Sequence, residues 1–225
     1  MYGILYVVAT PIGNLEDITL RALRILKEAD FVFAEDTRVT RKLFQHYNIQ
    51  TPLESYHQHS SENTTFRIAE LLRQSKNCAL VTDAGTPGIS DPGNELVARL
   101  LGILGEELKI VPIPGSSALT ALASVSGLQT QNLVFLGYPP TKKGRKTFFE
   151  KMTRFKEMPK VLYESPYRIV KTIDELDVIC GPDAKIVIGR ELTKKFETIF
   201  RGTVTEAKEM LKKDKVRGEY TIRHE

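Results

Sequence analysis

The side chains of this 225-residue chain that could do chemistry gather in short polar segments. Asp83 and Asp91 share the segment 82–93, in which residues 85–93 hold three glycines and two prolines. Glycine lets the main chain approach a ligand closely or take positive φ, and proline stiffens what remains. The segment therefore reads as a rigid, carboxylate-bearing loop for a small molecule. Glu35-Asp36-Thr37-Arg38 sets acids beside a cation, and Glu164 opens Glu164-Ser165-Pro166-Tyr167-Arg168. A carboxylate in a cleft can take up or orient the proton of a substrate hydroxyl. His57 and His59 share a face if extended, and could serve as bases or metal ligands. Two loop histidines without a third ligand are more often neither. Lys142-Lys143-Gly144-Arg145-Lys146 is either a solvated loop or a contact for a polyanion.

Absences narrow the chemistry. There is no Gly-x-x-x-x-Gly-Lys-Ser/Thr loop, no Gly-x-Gly-x-x-Gly after a strand, no zinc-like Cys/His spacing and no Gly-x-Ser-x-Gly elbow. A metal site is not expected. Cys78 and Cys180 lie in or beside apolar runs and read as buried, reduced thiols of a cytoplasmic protein. The N-terminus lacks the basic and apolar regions of a signal peptide, and no apolar stretch has the length of a membrane span. The net charge of +4 permits a nucleic-acid partner without establishing one.

The elements that must position these groups alternate. Strands are expected at 4–9, 31–34, 78–81, 108–113, 133–137, 161–163, 185–189, 198–202 and 219–222, from short runs rich in β-branched and aromatic residues. Helices are expected after Asp17 or Thr19 (with Leu20, Ala22, Leu23 and Leu26 inward), over 40–47, after an Asn63 or Thr64 cap, and near 94–104. Further helices are expected over 118–125, 146–155, 168–178 and 205–212. The alternation predicts an α/β fold with mainly parallel strands in the first half, and the closely spaced strands around Gly189 to Phe200 predict a mixed sheet in the second. The expected domains are 1–113 and 114–225. Polar clusters at 10–14, 35–38, 82–91, 114–118, 164–168 and 190–194 all follow strands, which suggests one cleft where strand ends converge. Composition and spacing alone stop at a two-domain α/β enzyme with a cleft for a small charged ligand.

The residues also look familiar. Val8-Ala9-Thr10-Pro11-Ile12-Gly13-Asn14-Leu15, Glu35-Asp36-Thr37-Arg38, the segment 82–93, Pro114-Gly115-Ser116-Ser117-Ala118 and Glu164-Ser165-Pro166-Tyr167-Arg168 occur in that order. Together they resemble the ribosomal small-subunit RNA 2′-O-methyltransferase I family of the tetrapyrrole-methylase-like superfamily, over nearly the whole chain. The resemblance implies two α/β domains with S-adenosylmethionine in the cleft between them. It implies methylation of the ribose 2′-hydroxyl of a cytidine in the decoding region of 16S rRNA, on the 30S subunit, by a homodimer. It assigns the cofactor to Pro11, Asp83, Ala84, Gly85, Ile89, Ser116, Ser117 and Ala118, and further to Glu164, Leu192 and Gly218.

Two departures stand out. Family members commonly run on past a Gly-Glu strand like Gly218-Glu219, whereas this chain stops at Glu225, so a shortened or short-form member, or a weaker RNA binder, is expected. The family often has His where this chain has Tyr167, which argues against a catalytic role there. A ribose hydroxyl needs a base or an orienting acceptor, and Asp36, Asp83, Asp91, His57 and Glu164 are the candidates. Asp36 is the expected base or orienter, with a helix cap as its other reading, and Arg38 is expected on a phosphate. Lys142, Lys143, Arg145 and Arg168 are the expected RNA-backbone contacts. A tetrapyrrole C-methyltransferase on the same fold, or a non-catalytic ribosome-binding protein with a retained pocket, are the alternatives.

Overall fold

Strand β4 (Cys78–Val81) is buried at every residue, and the first sheet is built around it. The computed structural model describes residues 1–56, 62–91, 93–129, 131–155, 158–213 and 216–224. His57 and His59 lie outside them. The chain divides into two units, Met1–Ser117 and Ala118–Glu225, so the division falls at 117/118 instead of the expected 113/114.

In the first unit β1 (Leu5–Val8), β2 (Phe31–Ala34), β3 (Leu53–Ser55) and β5 (Ile110–Ile113) join β4 in the order β3-β2-β4-β1-β5. Every pairing is parallel. Helices α1 (Leu20–Glu28), α2 (Thr37–His46), α3 (Glu62–Arg73) and α4 (Gly93–Leu104) cover it. Successive strand residues point to opposite faces. Phe33, Cys78 and Leu80 accordingly pack with Ile68, Leu72, Leu96 and Leu100 on one side. Val32, Ala34, Ala79 and Val81 pack with Leu26, Leu43 and Phe44 on the other. Burial on both faces is why these strands read as unbroken apolar runs.

Local chemistry sets the helix ends. Thr19 caps α1 by accepting the Ala22 N–H at 3.0 Å. The buried stripe of α1 is Ala22, Ile25 and Leu26. Leu20 is 86% exposed, contrary to expectation. Two residues from Ala22, it points about 200° round the helix. Helix α3 starts at Glu62, so Asn63 and Thr64 lie in its first turn and do not cap it.

The second unit contains α5 (Ala118–Val125), β6 (Val134–Gly137), α6 (Arg145–Met152), β7 (Lys160–Glu164), α7 (Ile169–Cys180), β8 (Lys185–Arg190), β9 (Thr198–Thr203), α8 (Val204–Lys213) and β10 (Tyr220–His224). The sheet order is β6-β7-β10-β8-β9. Only β6 and β7 pair parallel, so the sheet is mixed. Phe149, Leu162, Ile173, Leu176, Ile188 and Ile222 lie at the centre of its core. Cys78 is buried, and Cys180 is only half-buried. Among the described residues no helix is long and apolar enough to cross a membrane, and no group of three His, Cys, Asp or Glu could hold a metal ion.

Candidate functional site

Because the strands of the first unit are parallel, the loops that follow β1, β2, β4 and β5 all leave from one edge of the sheet. These loops are stitched together. Thr10 and Gly85 exchange both main-chain hydrogen bonds, at 2.9 and 3.0 Å. The Thr10 hydroxyl donates to the Thr82 carbonyl at 3.2 Å. The Thr86 hydroxyl donates to the Ser116 carbonyl at 3.2 Å, and the Ser116 hydroxyl donates to the Asp17 carbonyl at 3.1 Å. Pro11, Asp83, Ala84, Gly85, Ser116 and Ser117 are thereby brought to one place.

The glycines of this loop serve the turn itself. Gly85 has φ of +82°, a conformation L side chains rarely adopt, while an added Cβ would meet Ile12 at an ordinary 3.4 Å. Its N–H and carbonyl both bond Thr10, so neither is left for a ligand. Asp91 closes the loop. Its Oδ1 accepts the N–H groups of Gly88 and Gly93 at 2.8 Å each, and Oδ2 accepts Gly88 again at 2.9 Å. Asp91, a candidate base from sequence, is the staple that leads into α4. Ile89 is left 47% exposed on this stapled loop.

The acids after β2 and β4 are linked. Asp83 Oδ1 accepts the Asp36 N–H at 3.0 Å, and the Glu35 carboxylate accepts the Asp83 N–H. Asp36 caps α2, accepting the Arg38 N–H at 2.8 Å. Its carboxylate also pairs with the Arg38 guanidinium, at 2.6 Å for the shortest contact. The hydrogen bonds from Arg38 hold the Asp36 carboxyl down at about 2. Asp83 shifts the other way. Partial desolvation raises its pKa, and the neighbouring Asp36 carboxylate adds to the rise. Glu35, half-buried, is raised by desolvation and then by Asp83 and Asp91. Two carboxylates poised upward beside one held far down is how environment separates acid and base roles. Glu35 was not singled out from sequence, since only its packing distinguishes it from Asp36.

Asp83 stands at a cavity of about 150 Å³. Pro11, Leu15, Val39 and Leu43 form its apolar walls, and Thr10, Thr40, Thr82 and Lys42 its polar ones. Thr40 and Lys42 come from α2 and carry no sequence signal beyond helical spacing.

In the second unit Glu164, at the end of β7, is fully buried. Its Oε1 accepts the Ser165 N–H at 2.8 Å and pairs with Arg168 at 2.8 Å. Its Oε2 accepts the Thr172 hydroxyl at 2.6 Å and lies 3.5 Å from Arg145. Arg145 also pairs with Glu175 at 2.7 Å and donates to the Pro140 carbonyl at 3.1 Å. The expectation that Arg145 meets RNA is corrected, because its side chain is 4% exposed and committed within the unit. Arg168 keeps a little exposure and donates to Ser165 and to the Pro139 carbonyl at 2.9 Å. Lys142 and Lys143 are exposed. Glu164, committed to both arginines, has no carboxylate oxygen left over to act as a base. Leu192 is largely buried, and Gly218, with φ of +77°, packs on the Glu191 side chain. Both lie near the sheet edge where Tyr220 pairs with Arg190 and Glu164.

Comparison with known proteins places this architecture. Residues 4–208 match the family described as Tetrapyrrole (Corrin/Porphyrin) Methylases, and the chain belongs to that family. Solved structures agree in fold. That of the methyltransferase CobJ superposes with a TM-score of 0.72 at 16% identity, covering 98% of this chain and 93% of that one. A diphthine synthase gives 0.70 at 15% identity, covering 98% and 89%. Curated relatives are much nearer in sequence. Ribosomal RNA small subunit methyltransferase I of Halalkalibacterium halodurans is 43% identical over 220 residues, 98% of this chain and 75% of the relative. The protein of the same name from Bacillus subtilis is 44% identical over 221 residues, covering 98% and 74%.

Proposed function

We propose that this chain is an S-adenosylmethionine-dependent methyltransferase that modifies the ribose 2′-hydroxyl of a cytidine in the decoding region of 16S rRNA. It acts on the 30S subunit in the cytoplasm, as a homodimer. The family and the name of its relatives at 43–44% identity support an rRNA substrate. The observation that carries the chemistry is the Asp83 carboxylate, raised in pKa and oriented by the Asp36 N–H at 3.0 Å.

The stapled loop fits the cofactor. Ala84 is exposed and Ile89 presents bare apolar surface, which suits a flat adenine, and Asp91 keeps that surface in place. Pro11, Asp83, Ala84, Ser116 and Ser117 hold it, around the turn that Gly85 makes. Bound there, S-adenosylmethionine supplies an electrophilic methyl group on a sulfonium. The chain's own tasks are alignment and removal of the hydroxyl proton. Asp83 accepts that proton. Asp36 positions Asp83 through its N–H, and Arg38 faces a phosphate. Lys142, Lys143 and the exposed edge of Arg168 contact the RNA backbone.

The test offers labelled cofactor and purified protein to 30S subunits and, separately, to a uroporphyrinogen. Label on the ribose of one 16S cytidine is expected. Label on the tetrapyrrole carbon instead supports the second reading, which the family description favours. Cofactor binding without transfer to either supports a non-catalytic ribosome-binding role.

A further inference from the structure

The cavity beside Asp83 is too small for the cofactor or for a whole nucleoside. Its volume of about 150 Å³ is about five water molecules' share of the liquid, and falls below the roughly 300–1,000 Å³ of pockets for drug-sized ligands. It has room for one ring. Pro11, Leu15, Val39 and Leu43 offer apolar surface for the two faces of such a ring. Thr10, Thr40 and Thr82, all buried, offer polar groups for its edge. The Thr10 hydroxyl is already fixed on the Thr82 carbonyl at 3.2 Å. Thr40, only 3% exposed, lines the same cavity from α2.

We infer that this cavity receives the base of the acceptor nucleotide, a single pyrimidine ring turned out of its RNA stack. The inference rests on the proposed rRNA methylation and names the part of the protein that selects the nucleotide. Enzymes acting on one nucleotide extrude it and read its edge within a pocket. A pyrimidine edge alternates donors and acceptors, and a threonine hydroxyl can satisfy either. Lys42, exposed beside the cavity, is a cation for the attached phosphate, and Asp83 is at hand for the ribose. A purine's second ring would have to stay outside a volume of this size.

Two variants test this. Val39→Phe adds a ring to the cavity wall from a residue that is 38% exposed, so the helix can carry it. Thr40→Val keeps the shape of the wall and removes its hydroxyl. Cofactor affinity is measured by calorimetry, and methylation is measured on 30S subunits carrying either cytidine or uridine at the acceptor position. Val39→Phe is expected to lower kcat/KM on 30S by about tenfold or more, as misplacing a substrate near the chemistry does, with cofactor affinity intact. Thr40→Val is expected to lower kcat/KM several-fold on cytidine and uridine alike, because its hydroxyl can meet either edge. Lost cofactor binding in Val39→Phe would assign the cavity to the cofactor and overturn the inference. Unchanged methylation by either variant would overturn it equally. A wild-type protein that methylates no rRNA overturns the proposed function, and this inference with it.

Discussion

Asp36 and Asp83 each accept a main-chain N–H on the carboxylate, and what separates them is the Arg38 guanidinium on Asp36. Asp83 loses water, and this outweighs the pull of the Asp36 N–H that it accepts, so its pKa rises above the ordinary 3.8. Asp36 accepts from Arg38 at three nitrogen–oxygen contacts of 2.6–3.1 Å and falls to about 2. A base held that low is a poor proton acceptor near neutrality. Sequence could offer Asp36 only as base, orienter or cap, because all three need the same acid before a helix. The contact with the Arg38 N–H makes Asp36 the cap of α2, and its own N–H on Asp83 is the contact an orienter would need. Asp83→Asn is expected to lower kcat by about 10²–10⁴-fold, the usual worth of a positioned base, with cofactor affinity retained. Asp36→Asn keeps the cap, since Asn caps as well as Asp, and is expected to cost far less. The pH dependence follows in sign. The base must be ionised, so wild-type kcat falls as pH drops through the raised pKa of Asp83, and the Asp83→Asn residual rate lacks that limb. Equal damage from both variants in kcat–pH profiles would return the role to Asp36.

At the scale of elements, the basic run before α6 shows where local reading stops. Lys142, Lys143, Arg145 and Lys146 look alike in sequence, and a charge run is ordinarily a solvated face. Arg145 is instead the most buried of them, because Glu164, Thr172 and Glu175 arrive from β7 and α7 to meet it. Partners that distant in sequence leave no trace in a window of neighbours. The glycines of 82–93 mislead in the same way, since a turn and a ligand cradle use the same residue type. Arg145 and Arg168 together tie the Pro139 and Pro140 carbonyls to Glu164, so the network fixes the loop that carries Lys142 and Lys143. Glu164→Ala would leave two arginines without their buried anion. Its expected cost is about 3–5 kcal/mol, as for other broken buried pairs, read as a shift in urea midpoint at constant slope. A loss within about 1 kcal/mol, the range of exposed pairs, would show that water replaces the carboxylate there.

For the whole molecule, alternation of strand and helix is legible because periodicity is local. The parallel first sheet follows from it, and the mixed second sheet from the closely spaced strands around Gly189 to Phe200. Strand order is not legible, because β10, last in sequence, inserts between β7 and β8. The net charge of +4 is equally blunt. It counts arginines that the fold has already committed. With Arg145 withdrawn into the network, the basic loop has its lysines left to offer a polyanion, and in the proposed complex these would act by displacing counterions from phosphates. Each phosphate neutralised adds about 0.7–0.9 to the slope of log K against log salt. Replacing Lys142 and Lys143 together by Ala is therefore expected to reduce that slope by about 1.4–1.8 for 30S association if both meet phosphates. kcat at saturating 30S is expected to hold, because neither lysine lines the cavity beside Asp83. Binding isotherms over a range of salt, with thermal melting as the control for folding, decide it. A slope unchanged in the double variant would remove this loop from the RNA contact and leave the phosphates to Arg38, Lys42 and Arg168.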